Sequence, residues 1–351
     1  MSGAMHPLGV PTTRTMAVTT TGEKVYRETP QPGAVVTRIA AGHLRVGTFE
    51  YFAARQNHQA LETLCEYAIE RHYPEIQERG PDRRLALIDR VIERQIELVA
   101  HWLRVGFIHG VMNTDNTAIS GETIDFGPCA MMGVYNLQTV YSSIDHMGRY
   151  AYGNQPSMVQ WNIARFAETL LPLIDGDEQS AIDKVMPLIE GFSDRFVQRY
   201  QQMMGLKLGL SKAESMDQAL VSDLLTQMEQ QRLDYTQTFD RLTRSLSDEE
   251  VERQLCRVLG DWYGHWRQRL SEQSETFAEI QAGMRSANPV VIPRNHHMEA
   301  VIERCIETGE SESADEFLKV LRFPYKMQPE TARYQDLPED EDRSYRTFCG
   351  T

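Results

Sequence analysis

The run His109-Gly110-Val111-Met112-Asn113-Thr114-Asp115-Asn116 sets an Asp beside an Asn, and Asp125-Phe126-Gly127 begins nine residues after Asn116. A positioned Asp carboxylate can accept a hydroxyl proton during group transfer. An Asn amide oxygen and a second Asp carboxylate are hard oxygen ligands of the kind that suit Mg2+ on a polyphosphate. Between them, Thr117-Ala118-Ile119 and Thr123-Ile124 are short β-prone runs around Ser120-Gly121-Glu122, and a Gly at such a reversal predicts a hairpin. A hairpin brings its ends together, so Asn116 and Asp125 are expected to share one metal. The bland alternative is two polar loops satisfied by backbone hydrogen bonds. Motif and context together favour the site.

Such a loop must be delivered and held by regular elements. Residues 13–19, 24–27 and 34–39 are β-prone, with Thr21-Gly22-Glu23 and Pro30-Gln31-Pro32-Gly33 as punctuation. Thr48 is a plausible N-cap for a helix through Phe49, Tyr51 and Phe52, and a second helix is expected from about 58 to 71. Gly80-Pro81-Asp82 opens a long amphipathic helix with Leu85, Ile88, Val91, Ile92, Ile96 and Val99 on its apolar stripe, and Gly106 is its natural stop. This helix leads straight into the His109 loop. Residues 128–156 are irregular, a helix opens at Pro156 and runs through Leu171, and helical patterns continue to about 283. Asn288-Pro289 to His297 interrupts them, two short helices follow, and an acidic tail begins at Gln328. A long helix, a catalytic loop, a hairpin and Asp-Phe-Gly, in that order, resemble a protein-kinase C-lobe, with 128–156 in the place of the activation segment.

Composition narrows the classes. The chain has 351 residues, enough for one bilobed domain or two domains, with 41% hydrophobic and 25% charged residues. Its net charge of −14 argues against general nucleic-acid binding, which needs a basic footprint. No apolar run approaches the length of a bilayer span, and Met1 to His6 show no signal-peptide pattern. The five cysteines form no C-x-x-C pair and suit a reducing compartment. Cys65, Cys256 and Cys305 lie in helical patterns and are expected in the core, whereas Cys349 near the end is expected to be exposed and inert. His109 is expected to brace the loop and Cys129 to pack. His296-His297 reads as a helix start, because no acidic or Cys residue stands at ligand spacing from it.

Several long stretches are similar to the selenoprotein O (SelO) family, among them RIAAGHLRVGTFEYFAAR at 38–55, HGVMNTDN at 109–116, TIDFGPCA at 123–130, SSIDHMGRYAYGNQP at 142–156 and NPVVIPRNH at 288–296. The resemblance implies an α+β, protein-kinase-like fold and a protein adenylyltransferase that moves AMP from ATP to Ser, Thr or Tyr hydroxyls of proteins. It implies Asp115 as catalytic base, Asn116 and Asp125 as ligands of Mg2+ (Mn2+ as an alternative), and Asp125 beside the nucleotide phosphates. Arg38 and Arg45 are implied to hold the terminal phosphate of an ATP bound in a flipped orientation, a role that suits the rigid donor fork of Arg. The implied partners are ATP and protein substrates, without nucleic acid or membrane. The implied location is the bacterial cytoplasm, or mitochondria for a eukaryotic source.

The family pattern also includes an upstream glycine-rich loop, a strand Lys and a helix Glu that have no counterpart in these residues. The β-rich start, 1–47, is therefore expected to be an N-lobe remnant, followed by a C-lobe at 48–205 and a helical extension with a tail at 206–351. Without the Lys and the glycine-rich loop, transfer is expected to lose several kcal/mol of transition-state stabilisation, roughly a thousandfold in rate. Two further readings remain at this point: a phosphotransferase using the same loop, and a catalytically dead kinase-like binding module.

Overall fold

The computed structural model describes residues 1–26, 30–211 and 217–348, an α+β chain that is mostly helical with two small antiparallel sheets. A one-turn helix α1 (Ser2–Met5) precedes an antiparallel ribbon of two strands, β1 (Arg14–Tyr26) and β2 (Pro30–Ile39). Three strands were expected there, but Thr21-Gly22-Glu23 does not reverse the chain. The register shifts between Thr20 and Lys24, and Gly22 has φ +75°, so the segment is a bulge inside one long strand. The prolines of β2 are tolerated because a two-stranded ribbon leaves one edge of each strand without a ladder. The expected strand end at Arg27 lies outside the described residues.

Next come α2 (Val46–Ala53), α3 (His58–His72) and α4 (Pro81–Val105). Helix α2 starts two residues before the expected cap. Arg45 is the N-cap, and Thr48 serves from inside the first turn, its hydroxyl accepting the Arg45 N–H at 3.3 Å. Helix α4 matches its sequence signals: Pro81 at its first position needs no N–H partner, and Gly106 closes it in the left-handed region at φ +76°. Its stripe of Leu87, Ile88, Val91 and Ile92 is fully buried.

Beyond it, β3 (Phe107–Ile108) pairs antiparallel with β4 (Ala130–Met131), and α5 (Gln155–Ile174), α6 (Glu178–Glu190) and α7 (Phe192–Leu208) pack around α4. One core joins α2, α4 and α5 through residues such as Phe49, Val91, Phe166 and Leu170. A second forms under α8 (Asp217–Gln230), α9 (Tyr235–Arg244), α10 (Glu249–Leu259), α11 (Asp261–Ser271) and α12 (Phe277–Ala287), around Tyr235, Phe239 and Trp266. A small third core sits under α13 (Asn295–Thr308) and α14 (Glu312–Leu321). Cys65 is buried as expected, but Cys256 is exposed and Cys305 half-buried. In α10 the buried positions are Val251, Leu255 and Leu259, and Cys256 stands about a quarter-turn off that stripe. Cys349 lies outside the described residues. Among the described residues, no helix is long and apolar enough to cross a membrane.

Candidate active site

The two-residue ladder of β3 and β4 anchors both halves of the site. The His109 loop leaves β3, and Asp125-Phe126-Gly127 arrives three residues ahead of β4, so both start from one short sheet. The expected hairpin of 117–119 against 123–124 does not form. The chain does reverse there, with Gly121 N–H on the Ala118 carbonyl at 3.0 Å and Gly121 at φ +74°. Each flank pairs elsewhere: Ala118 bridges antiparallel to Arg45, and Thr123 bridges parallel to Thr12. Backbone groups thus bind earlier segments of the chain, with Val46 N–H on the Thr117 carbonyl at 3.0 Å and Thr123 N–H on the Pro11 carbonyl at 2.9 Å. Residue spacing reports a reversal but not its ladder partners, Arg45 and Thr12, which lie far upstream.

His109 is fully buried. Its ring nitrogen Nε2 lies 2.8 Å from the Ile124 carbonyl, and the His109 backbone N–H donates to Gln155 Oε1 at 3.0 Å. Burial lowers its pKa, which keeps the ring neutral inside a cage with Trp102 and Phe107. It ties the start of the loop to the residue before Asp125. Asp125 has φ +57°, a left-handed conformation that costs a non-glycine residue of order 1 kcal/mol and persists where the surroundings impose it. Phe126 packs edge-on to Phe107 at 6.2 Å, and Cys129 donates its S–H to the Phe126 carbonyl at 3.2 Å. Burial pushes the Cys129 thiol up to about 12, so it is an unreactive packing group.

Asp115 is exposed and Asn116 half-buried, on a short 3-10 turn at Thr114–Asn116. The Asn116 amide donates to the Val111 carbonyl at 3.1 Å, which leaves its Oδ1 for another partner. The Asp115 carboxylate lies against Gly47 in the first turn of α2: a Cβ there would sit 2.2 Å from Oδ1. A helix N-terminus favours a nearby negative charge. Arg45 is next to this point through its bridge to Ala118. Arg38 is on exposed β2, opposite Thr15, and among the described residues no hydrogen bond or ion pair joins it to Asp115, Asn116 or Asp125. Among the described residues, no ion pair engages the side chains of Arg38, Arg45, Asp115 or Asp125.

Sequence reasoning missed the residues that hold these groups. Glu122 Oε2 accepts from the Ala41 N–H at 2.9 Å and from the Ser120 hydroxyl at 2.8 Å, tying the end of the ribbon to the turn. Asn162 donates to the Met112 carbonyl at 3.1 Å. The C-terminal segment also reaches the site: the Thr347 hydroxyl donates to the Pro128 carbonyl at 2.7 Å, and Thr347 and Ser143 exchange backbone bonds with 141–143 and 347. Nothing in local spacing marks contacts of such long range.

The profile of the family described as protein adenylyltransferase SelO matches residues 1–322. The chain belongs to this family. It is 54% identical to a protein nucleotidyltransferase YdiU of Teredinibacter turnerae, 49% to that of Pseudoalteromonas translucida and 48% to that of Geobacillus kaustophilus. Each match takes in the whole of this chain and 73%, 73% and 72% of the respective relative. Family membership agrees with the resemblance carried by the loop and by Asp-Phe-Gly, and it marks the chain as a transferase of nucleotidyl groups.

Proposed function

We propose that the chain transfers AMP from ATP to Ser, Thr or Tyr hydroxyls of proteins, with Asp115 accepting the hydroxyl proton. The hydroxyl oxygen bonds to the α-phosphorus, the bond from that phosphorus to the bridging oxygen breaks, and pyrophosphate leaves. Asn116 and Asp125 would hold Mg2+, or Mn2+ in its place. Their oxygens fit a hard cation, since the Asn116 NH2 is already spent on Val111 and Asp125 makes no ion pair among the described residues. When bound, the ion neutralises phosphate charge. Arg45 and Arg38 would take the far phosphates in their guanidinium forks. The observation that carries this reading is the Asp115 carboxylate, set against Gly47 beside the Arg45–Ala118 bridge.

In domain terms, residues 1–47 are read as part of an N-lobe, 48–205 as a kinase-like catalytic lobe and 206–351 as a helical extension. Incubation with Mg2+ and ATP labelled at the α- or the γ-phosphate tests the chemistry on protein substrates. Label from the α position alone, lost in Asp125→Ala, is expected. Label from the γ position, or α label that survives Asp125→Ala, overturns the reading.

A further inference from the structure

His296 and His297 open α13, and the nearest acidic residue in sequence, Glu299, is engaged by the Tyr345 hydroxyl at 2.9 Å. The fold supplies a third ligand. Asp336, some forty residues later, brings its carboxylate to both rings: Oδ1 lies 2.8 Å from His297 Nε2 and Oδ2 lies 3.9 Å from His296 Nε2. One ligand atom from each of the three residues falls within 4.8 Å of the others. Tetrahedral bonds of about 2.0–2.1 Å to nitrogen and oxygen separate ligand atoms by roughly 3.3–3.4 Å. The two His–Asp separations bracket that value and the third pair lies within 4.8 Å, so side-chain shifts of about 1–1.5 Å would close the site around an ion. Both ring nitrogens of His296 are buried and lack any hydrogen-bond partner among the described residues. A buried polar group without a partner is costly, and an ion would satisfy it.

The backbone under these three residues is fixed independently of them. Arg294 makes a two-pronged buried ion pair with Asp234, at 2.8 and 3.1 Å. Asn295 binds both the N–H and the carbonyl of Met131, at 2.8 and 2.9 Å. Gln335 donates to the Val290 carbonyl at 2.9 Å, and its own carbonyl accepts from Gln237 at 2.6 Å. The ligand set therefore stands on a preformed frame, apart from the Asp115 loop.

We propose that His296, His297 and Asp336 form a binding site for a first-row divalent transition ion, with water completing the shell. Two imidazoles and one carboxylate favour Zn2+ and its neighbours over Mg2+ or Ca2+. The ion would clip the segment that follows Tyr334 to the start of α13.

Zn2+ is titrated by calorimetry into the full chain after chelator treatment, without nucleotide, and Co2+ is titrated by visible absorption. One ion per chain is expected, with a Co2+ spectrum of nitrogen and oxygen ligands and no thiolate band. Asp336→Asn and His296→Gln should each weaken binding by at least about tenfold. Zn2+ should raise the Tm of the parent chain and, at the same concentration, raise that of both variants less. Asp336 is largely exposed, so its variant should keep the parent's circular dichroism. Absence of one-to-one binding, binding undiminished in both variants, or binding lost instead in Asp125→Asn overturns the proposal.

Discussion

At the residue scale, conformation and chemistry pull apart at Asp125. Its φ of +57° is comfortable for glycine and strained for a carboxylate residue. Asp125→Gly should therefore hold stability or gain about 0.5–1 kcal/mol in chemical denaturation. The same change removes a proposed metal ligand, so AMP transfer should fall by roughly a thousandfold or more. A variant both less stable and fully active would reject the role given to Asp125. Two glycines should separate in the same way. A Cβ at Gly47 clashes with the end of the Asp115 side chain and touches backbone only at an ordinary 3.5 Å, whereas a Cβ at Gly110 lands 2.4 Å from the Pro128 carbonyl, at φ +83°. Gly47→Ala should lower kcat by about tenfold through a displaced base, with Tm nearly unchanged. Gly110→Ala should unfold the chain several degrees earlier, because backbone cannot swing aside.

At the element scale, the tail that reaches the site passes through Asp342. Burial raises its carboxyl to about 6, against the pull of an Asn295 hydrogen bond and of Arg294, with Asp340 and Asp234 adding to the rise. A carboxyl with a raised folded-state pKa binds its proton more tightly when folded. Its contribution is full below about pH 4 and is lost as pH climbs through 6. The shift corresponds to about 3 kcal/mol at most, and solvent reaching the group reduces this to about 1–2. Glu97, held low by hydrogen bonds from Arg199 and His101, works with the opposite sign but only below its ordinary range near 4.5. Relative to Asp342→Asn, the parent chain should thus lose stability between pH 4.5 and 7, against the opposite pull of the buried neutral His109, and Asn accepts the φ of +59° at this position. Urea midpoints across the pH series read it; an equal slope in the variant would assign it elsewhere. Elements of this kind were not legible in the sequence. Helix α4 was, because its stripe, its Pro81 and its Gly106 are all local signals. The loop residues Asp115, Asn116 and Asp125 were legible as types at a spacing. What escaped was pairing at a distance: the 118–123 reversal gives its ladders to Arg45 and Thr12, and Asp336 meets His296 and His297. Periodicity within a segment carries no information about which remote segment satisfies its backbone.

At the scale of the whole molecule, the helical body and the β1–β2 ribbon are unequal partners. Every described side chain of β1 is exposed, including Val18 and Met16, and Val36, opposite Val18, is exposed as well. A two-stranded ribbon with neither face covered is marginal in water and offers apolar edges for association. Its amides should exchange with deuterium far faster than those of α4, whose stripe lies in the main core. Val18→Thr with Val36→Lys should reduce concentration-dependent self-association without shifting the global unfolding midpoint. Arg38 rides on this ribbon, while Arg45 is locked to Ala118 in the body. If both guanidinium groups grip one nucleotide, ATP with Mg2+ must recruit the ribbon, and binding energy would be drawn off in ordering it. ATP should then slow exchange across 30–39 several-fold in the parent chain, and Arg38→Ala should erase that protection while α4 exchanges as before. Protection that persists in Arg38→Ala would mean that the nucleotide is held from the body alone, through Arg45 and the Asp115 loop, and that Arg38 is a solvated residue of the ribbon.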